Sequence, residues 1–362
     1  MTQKNGTELE FYRGKRVFVT GATGFKGSWL CHILKRLGAQ VTGFSLAPEA
    51  PSLFETARVG QGMHSVIGDI REPKALLAAM TAARPEIVFH LAAQAIVREG
   101  YRRPVDTYST NVMGTVHLLE CVRQTPSVRS FVNVTTDKVY ENHETGKAFR
   151  EEDRLNGGDP YSNSKSCSEL VTQCYKNSFL KEQQVAVSTV RAGNVIGGGD
   201  FSAERILPGC VRAALTGETL VIRNPNAVRP YQHVLEPLTA YLMIAKRQYE
   251  EPGLADCYNI GPDRADCATT EQLVKIFSDV WGGIDHTIGG DNGPREAVLL
   301  MLDNTKIKRV LGWRPVWSLD EAVRRVAEWH RAHRNGEDVV AVMDEQIGDF
   351  LTRSALLYEK RE

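Results

Sequence analysis

Apolar positions along this chain come in short bursts, each followed by a stretch of helical periodicity. Val17, Phe18 and Val19 form one uninterrupted apolar run. Leu30, Ile33, Leu34 and Leu37 then fall at the three- and four-residue spacing of a buried helix face, and Gly38 is placed to end that helix. Strand-like segments recur as QVTGFSL, HSVIGDI, PEIVFHLAA, SFVNVTT and VAVSTVRAGNV. Helical patterns lie between them at 74–83, 108–124 and 161–180. Strands alternating with helices predict an α/β fold built on a doubly wound parallel sheet. Past residue 190 the pattern turns irregular, with GGGD and RNPNAVRP as glycine- and proline-rich turns, so a smaller α+β part is expected there. The polar, mixed tail from Asn335 reads as a terminal helix or a loose end.

Bulk properties narrow the class of partner. A chain of 362 residues is long enough for two domains or one large α/β unit. Its 44 basic and 44 acidic side chains offer no electrostatic reason to expect nucleic acid or a membrane surface. The opening MTQKNGTELEFYRGK lacks the apolar run of a signal peptide, and no stretch approaches a membrane span. Seven scattered cysteines without a CxxC suit a reducing cytoplasm better than a disulfide frame. Nine histidines without HxxxH or HExxH spacing assign no metal.

The first strand and first helix are joined by G-A-T-G-F-K-G, with Gly21, Gly24 and Gly27 three residues apart. Small residues there let backbone approach a pyrophosphate, and the helix N-terminus offers it free N–H groups. The acid that usually binds a ribose after the second strand is replaced by Ser45, and no Arg or Lys stands there to clamp a 2′-phosphate. NAD is therefore favoured over NADP. Asp69 and Ile70, after the third strand, are placed to meet the adenine; an Asp capping a turn is the alternative.

Two further stretches carry chemistry. In YSNSK, Tyr161 and Lys165 lie four apart on one helix face, where an ammonium favours a phenolate. In VTTDKVY a buried strand runs into Thr135, Thr136, Asp137 and Lys138, which puts an acid beside a potential base at a sheet edge. A solvated loop is the plainer reading of that stretch.

Together GATGFKG, GDI, HLAAQ, TNVMGT, TTDKVY, YSNSK and RAGNVIGGGD, with RPYQHV and LDNTKIKRVLGW further on, resemble the extended short-chain dehydrogenase/reductase superfamily. Within it the chain is similar to the nucleotide-sugar 4,6-dehydratases. The dTDP-glucose dehydratases carry Thr-Asp-Glu where this chain has Thr136-Asp137-Lys138, a triplet that looks like the branch acting on CDP-D-glucose. TGFKGSWL and HLAAQAIVREGY match the same branch.

The resemblance implies a Rossmann-type NAD-binding domain over 1–190 plus about 228–262. It implies a nucleotide-sugar-binding domain over 191–227 and 263–362. Tyr161 is implied as the base for the sugar C4 hydroxyl, Lys138 as the base for C5, and Asp137 as the acid for the departing C6 hydroxyl. Thr136 would hydrogen-bond the C4 oxygen, and Lys165 would bind the ribose and lower the tyrosine pKa. The cofactor would be held by Gly21, Thr23, Gly24, Phe25, Lys26, Gly27, Ser45, Asp69, Ile70, Leu91, Ala92, Ala93, Asn111 and Thr135 with Tyr161 and Lys165. The substrate would be held by Gln94, Asn194, Arg205, Leu207, Arg229 and His233, with Arg191 closing the same strand end. Helices 108–124 and 161–180 correspond to those that pair subunits, which implies a homodimer or a higher homo-oligomer. The rival readings are a dehydratase or 4-epimerase for another nucleotide sugar (dTDP-glucose, GDP-mannose or a UDP-sugar), and a non-catalytic NAD-binding regulator.

Overall fold

The computed structural model describes residues 8–289 and 298–359. Seven strands form one parallel sheet: β1 Arg16–Thr20, β2 Gln40–Ser45, β3 His64–Ile67, β4 Ile87–His90, β5 Ser130–Val134, β6 Ala186–Ala192 and β7 Cys257–Ile260. Their spatial order is β7-β6-β5-β4-β1-β2-β3. Successive side chains point to opposite faces, so Val17 and Val19 enter one core while Phe18 enters the other.

Helices cover both faces. On one, α1 (Phe25–Arg36) packs Trp29, Leu30, Ile33 and Leu34 beside Leu238, Tyr241 and Leu242 of helix Leu235–Glu250. On the other, Leu76 and Met80 of helix Pro73–Ala83 meet Leu118, Leu119 and Val122 of helix Gly114–Arg123. A third core, holding Leu207, Val211, Leu273, Phe277 and Val326, belongs to the smaller part beyond β6.

The expected helices are present with altered ends. The 108–124 segment begins as a π-helical turn, Ser109–Met113, and the 161–180 segment is helix Pro160–Tyr175 followed by a π-turn, Lys176–Leu180. Asp159 caps the latter by accepting from the Ser162 N–H at 3.0 Å. The tail forms helix Val339–Glu359, and its Met343, Ile347 and Phe350 pack into the core of α1 rather than that of the smaller part. Asp344 receives His32 and Arg36 of α1, at 2.7 Å and 2.6 Å. No described helix is long and apolar enough to cross a membrane.

The strand order reverses between β4 and β2, both of which flank β1. Connections leave that point toward opposite edges, which opens a crevice at the carboxyl ends of the strands. The candidate chemistry gathers there.

Candidate active site

The cradle at the end of β1 depends on missing side chains. Gly21 has φ +73°, and a Cβ on it would lie 2.7 Å from the Ala92 nitrogen. A Cβ on Gly27 would lie 2.0 Å from the Gly21 carbonyl oxygen. Gly24 caps α1 without a side-chain hydrogen bond, and the first turn holds no acidic residue. The open N–H groups and positive end of the helix dipole suit an anion. Thr20 brings the next loop alongside: its carbonyl accepts from the Leu91 N–H at 3.2 Å and its hydroxyl from the Ala92 N–H at 3.2 Å, with Ala93 following. The residues present fit a dinucleotide pyrophosphate.

Several expected contacts differ in direction. The Ser45 hydroxyl is buried and accepts from the Thr23 N–H at 3.2 Å, so it braces the glycine loop instead of standing open at the crevice. The Asp69 carboxylate accepts from the Arg71 backbone N–H and guanidinium, and this pairing holds it below the usual carboxylate range. The Ile70 side chain turns into the core, where it fills the space that a Cβ on Gly114 would need. Asn111 is buried: its oxygen accepts from the Gln94 N–H at 2.8 Å, and its amide donates to the Gln94 carbonyl and the Ser164 hydroxyl. It ties the loop after β4 to helix Pro160–Tyr175.

Beyond β5 the chain enters a 3-10 turn, Asp137–Val139, capped by Thr136. Thr135 donates to Glu169 Oε1 at 2.6 Å. Thr136 donates to Asp137 Oδ1 at 3.0 Å. Asp137 is fully buried, with Oδ2 lacking a hydrogen-bond partner among the described residues, while Lys138 is half-buried with Nζ 3.6 Å from Asp137 Oδ1. Gly193 makes room for that carboxyl, since a Cβ there would lie 1.9 Å from Oδ2. Thr135, Thr136, Asp137, Lys138 and Tyr161 line one pocket with Lys26.

Burial sets the titration of these groups. It pushes the Tyr161 phenol up to about 12, against the opposing pull of the Thr136 hydroxyl and, more weakly, Arg205. It brings Lys165 down to about 8, partly offset by the Glu169 carboxylate. Lys26 falls to about 7 through burial, with Arg205 and Lys165 adding to the fall. The Lys165 ammonium donates to the Val134 carbonyl at 3.0 Å, so here it is held by the β5 backbone.

On the substrate side, Asn194, Arg205, Leu207 and Arg229 line the same pocket. Arg205 is paired with Asp200 at 2.9 Å. Asn194 holds φ +40° and leaves its Oδ1 buried without a partner among the described residues. Two expected substrate residues are turned away. Both ends of the Gln94 amide are used within the protein, on Thr107 and on the Ile96 N–H. His233 is buried against Trp29 and Trp317, accepts from the Leu235 N–H and is pushed down to about 3 by burial. It braces the start of helix Leu235–Glu250.

Arg191, expected to close the same strand end, also turns inward. It donates through Nε to Glu169 at 2.8 Å, and the pair is 3% exposed on each side. This buried pair was missed from the sequence, although Glu169 follows Tyr161 and Lys165 at the same four-residue interval. Glu204 at the pocket mouth, 3.7 Å from both Arg98 and Arg223, carried no sequence signal.

The sequence pattern of the GDP-mannose 4,6 dehydratase family matches residues 18–326. The chain belongs to this family. Among curated members and relatives, CDP-glucose 4,6-dehydratase of Salmonella typhimurium is 46% identical over 95% of this chain and 98% of its own length. A dTDP-glucose 4,6-dehydratase of Xanthomonas campestris is 26% identical over 86% of this chain and 92% of its own. Among solved structures, the Streptomyces venezuelae dTDP-glucose 4,6-dehydratase with NAD bound superposes with TM-score 0.78 at 26% identity, covering 90% of this chain and 99% of that one. The GDP-mannose 4,6 dehydratase family membership accounts for the Rossmann-type sheet.

Proposed function

We propose that this protein is an NAD-dependent CDP-D-glucose 4,6-dehydratase, a lyase that converts CDP-D-glucose to CDP-4-dehydro-6-deoxy-D-glucose and water. The observation that carries this reading is the convergence on one pocket of Asp137 and Lys138, from the turn after β5, with Tyr161, from helix Pro160–Tyr175. Its near full-length likeness to a CDP-glucose 4,6-dehydratase selects the nucleotide.

NAD, when bound, supplies a hydride acceptor for C4 and a hydride donor for C6. The glycine loop, Leu91–Ala93 and the Thr23–Ser45 contact would hold it, with Asn111 fixing the loop beneath. Tyr161 takes the proton of the C4 hydroxyl as phenolate, a form that the positive charge of bound nicotinamide would favour against the burial that holds the phenol at about 12. The ketone at C4 acidifies the C5 proton, and the Lys138 amine takes it. Asp137, as the neutral acid, gives its proton to the C6 hydroxyl, the C6–O bond breaks and water leaves. Lys138 returns a proton to C5 as C6 is reduced. Arg205 and Arg229 suit the diphosphate because a planar guanidinium donates two parallel hydrogen bonds. Asn194 and Leu207 complete the substrate wall.

The nucleotide-binding unit comprises 1–190 with 228–262 and the substrate unit 191–227 with 263–362, except that helix Val339–Glu359 reaches back to pack on the nucleotide-binding core. The enzyme works as a homodimer through the helices that expose Val105, Met113, Leu170 and Phe179. Seven free cysteines suit a reducing cytoplasm.

The experiment is a panel of CDP-, dTDP-, UDP- and GDP-hexoses incubated with enzyme and added NAD, assayed for a 4-keto-6-deoxy product. CDP-glucose turning over far faster than the others supports the reading. Preference for another nucleotide, or a C4 epimer as product, defeats it.

A further inference from the structure

One buried ion pair meets both ends of the turn that carries Asp137 and Lys138. At the near end the Thr135 hydroxyl donates to Glu169 Oε1 at 2.6 Å. At the far end the Tyr140 hydroxyl accepts from Arg191 Nη1 at 2.7 Å. Arg191 Nε donates in turn to Glu169 Oε1 at 2.8 Å. The contacts therefore close a ring from Thr135 through Glu169, Arg191 and Tyr140, completed by residues 136–139. Glu169 stands on the helix that carries Tyr161 and Lys165, so the ring ties the turn to that helix.

Tyr140 holds the far end of the turn by its polar tip. Its hydroxyl also donates to Asn259 Oδ1 at 2.6 Å, which engages its one proton as well as a lone pair. Asn259 is fixed on β7, its amide donating to the Phe149 carbonyl at 2.8 Å and its N–H to Glu151 at 2.9 Å. The Tyr140 ring stacks on Phe149, with centroids 4.8 Å apart and planes 4° from parallel. A residue needed only to fill the core would make that stack without a hydroxyl. Tyr140, Arg191 and Asn259 are 2%, 3% and 0% exposed, and hydrogen bonds to a charged group are strong in such surroundings. Thr135, Thr136, Asp137 and Lys138 line the pocket, whereas Tyr140, Glu169, Arg191 and Asn259 do not. The ring reaches substrate through the turn alone.

We propose that Tyr140 is a positioning residue for the elimination: its hydroxyl fixes the far end of the turn and so sets Asp137 and Lys138 against C6 and C5. This rests on the reaction proposed above, in which those two side chains act after Tyr161. Oxidation at C4 belongs to Tyr161, which its own helix holds. Loss of the Tyr140 hydroxyl therefore separates the two halves of the reaction.

The test is Tyr140→Phe, which keeps the ring on Phe149 and removes both hydrogen bonds. In a single turnover of NAD-loaded enzyme with CDP-glucose, reduced-nicotinamide absorbance should rise within a few-fold of the wild-type rate. Water loss and solvent deuterium entry at C5 should slow by at least about tenfold, since a misplacement of about 1 Å costs on the order of 10²-fold. Reduced nicotinamide then accumulates in the variant and not in wild type. A general loss of structure lowers the active fraction and slows both halves equally. That outcome overturns the positioning role, and so does an unchanged rate of water loss. Should Tyr140→Phe not fold, Ser166→Ala replaces it, because Ser166 donates to the Val139 carbonyl at the same end of the turn, at 2.7 Å. The same split is expected of it, and an equal loss of both halves counts against the role in the same way. Wild type is run first with CDP-glucose: absence of a 4-keto-6-deoxy product there defeats the underlying reading, whereas a working wild type with an equal loss in the variant defeats the role of Tyr140 alone.

Discussion

Lys138 Nζ lies 3.6 Å from the carboxylate of Asp137, the residue directly before it in the chain. Such neighbours make an ion pair in water, yet the elimination needs a neutral acid beside a free amine. Moving one proton from the ammonium to the carboxylate converts the first form into the second without exchange with solvent. Adjacent residues on a single 3-10 turn can thus act on adjacent carbons of one sugar.

Tyr161→Phe removes the group that begins the oxidation. Turnover should fall by about 10²–10⁴-fold, the range for general base catalysis. Binding of CDP-glucose, measured calorimetrically, should persist, because the ring and its packing remain.

Gly193 is not in the left-handed region, so its backbone tolerates alanine. What excludes a side chain is Asp137: a Cβ would stand 1.9 Å from Oδ2 and 2.3 Å from Cγ. Gly193→Ala should displace the acid and slow water loss by about 10²-fold, the scale for a displacement of about 1 Å. C4 oxidation, followed by reduced-nicotinamide absorbance, should be much less affected.

Glu169→Gln leaves the Arg191 guanidinium buried without its counter-charge. Breaking a buried pair by removing one partner costs on the order of 3 kcal/mol or more. Urea unfolding should show that loss. The Thr135 contact at 2.6 Å weakens as well, so activity falls alongside stability.

Glu236 gives a pH dependence of stability. Burial raises its carboxyl from 4.5 to about 8, although it accepts from the Val316 and Trp317 N–H groups. Between those values the folded protein holds a proton that the unfolded chain has released. The unfolded state binds fewer protons, so this group's contribution is complete below about 4.5 and is lost as pH rises toward about 8. Melting temperatures should fall across that window in wild type and fall less steeply in Glu236→Gln.

Features set by local spacing were legible before the structure. The glycine loop, the four-residue interval from Tyr161 to Lys165 and the VTTDKVY turn all lie within single short segments. Which way a side chain faces was not legible where a loop or a strand end decides it. His233 and Gln94 turn inward for that reason, and Ile70 fills the gap left by Gly114. The Glu169–Arg191 pair joins a helix to a strand across 22 residues, so it exists only once β6 has formed against that helix. Strand β7 was missed because Cys257 and Asn259 interrupt its apolar run; its place is set by pairing with β6, where Tyr258 stands opposite Val190.

The most direct measurement is a single turnover of Lys138→Met with CDP-glucose and NAD, following reduced-nicotinamide absorbance and product together. If Lys138 removes the C5 proton, the variant oxidises C4, the absorbance rises and stays high, and little 6-deoxy product forms. Solvent deuterium then enters C5 readily in wild type and slowly in the variant. Loss of water at the wild-type rate, with no lasting absorbance, contradicts the assignment of Lys138 as the base.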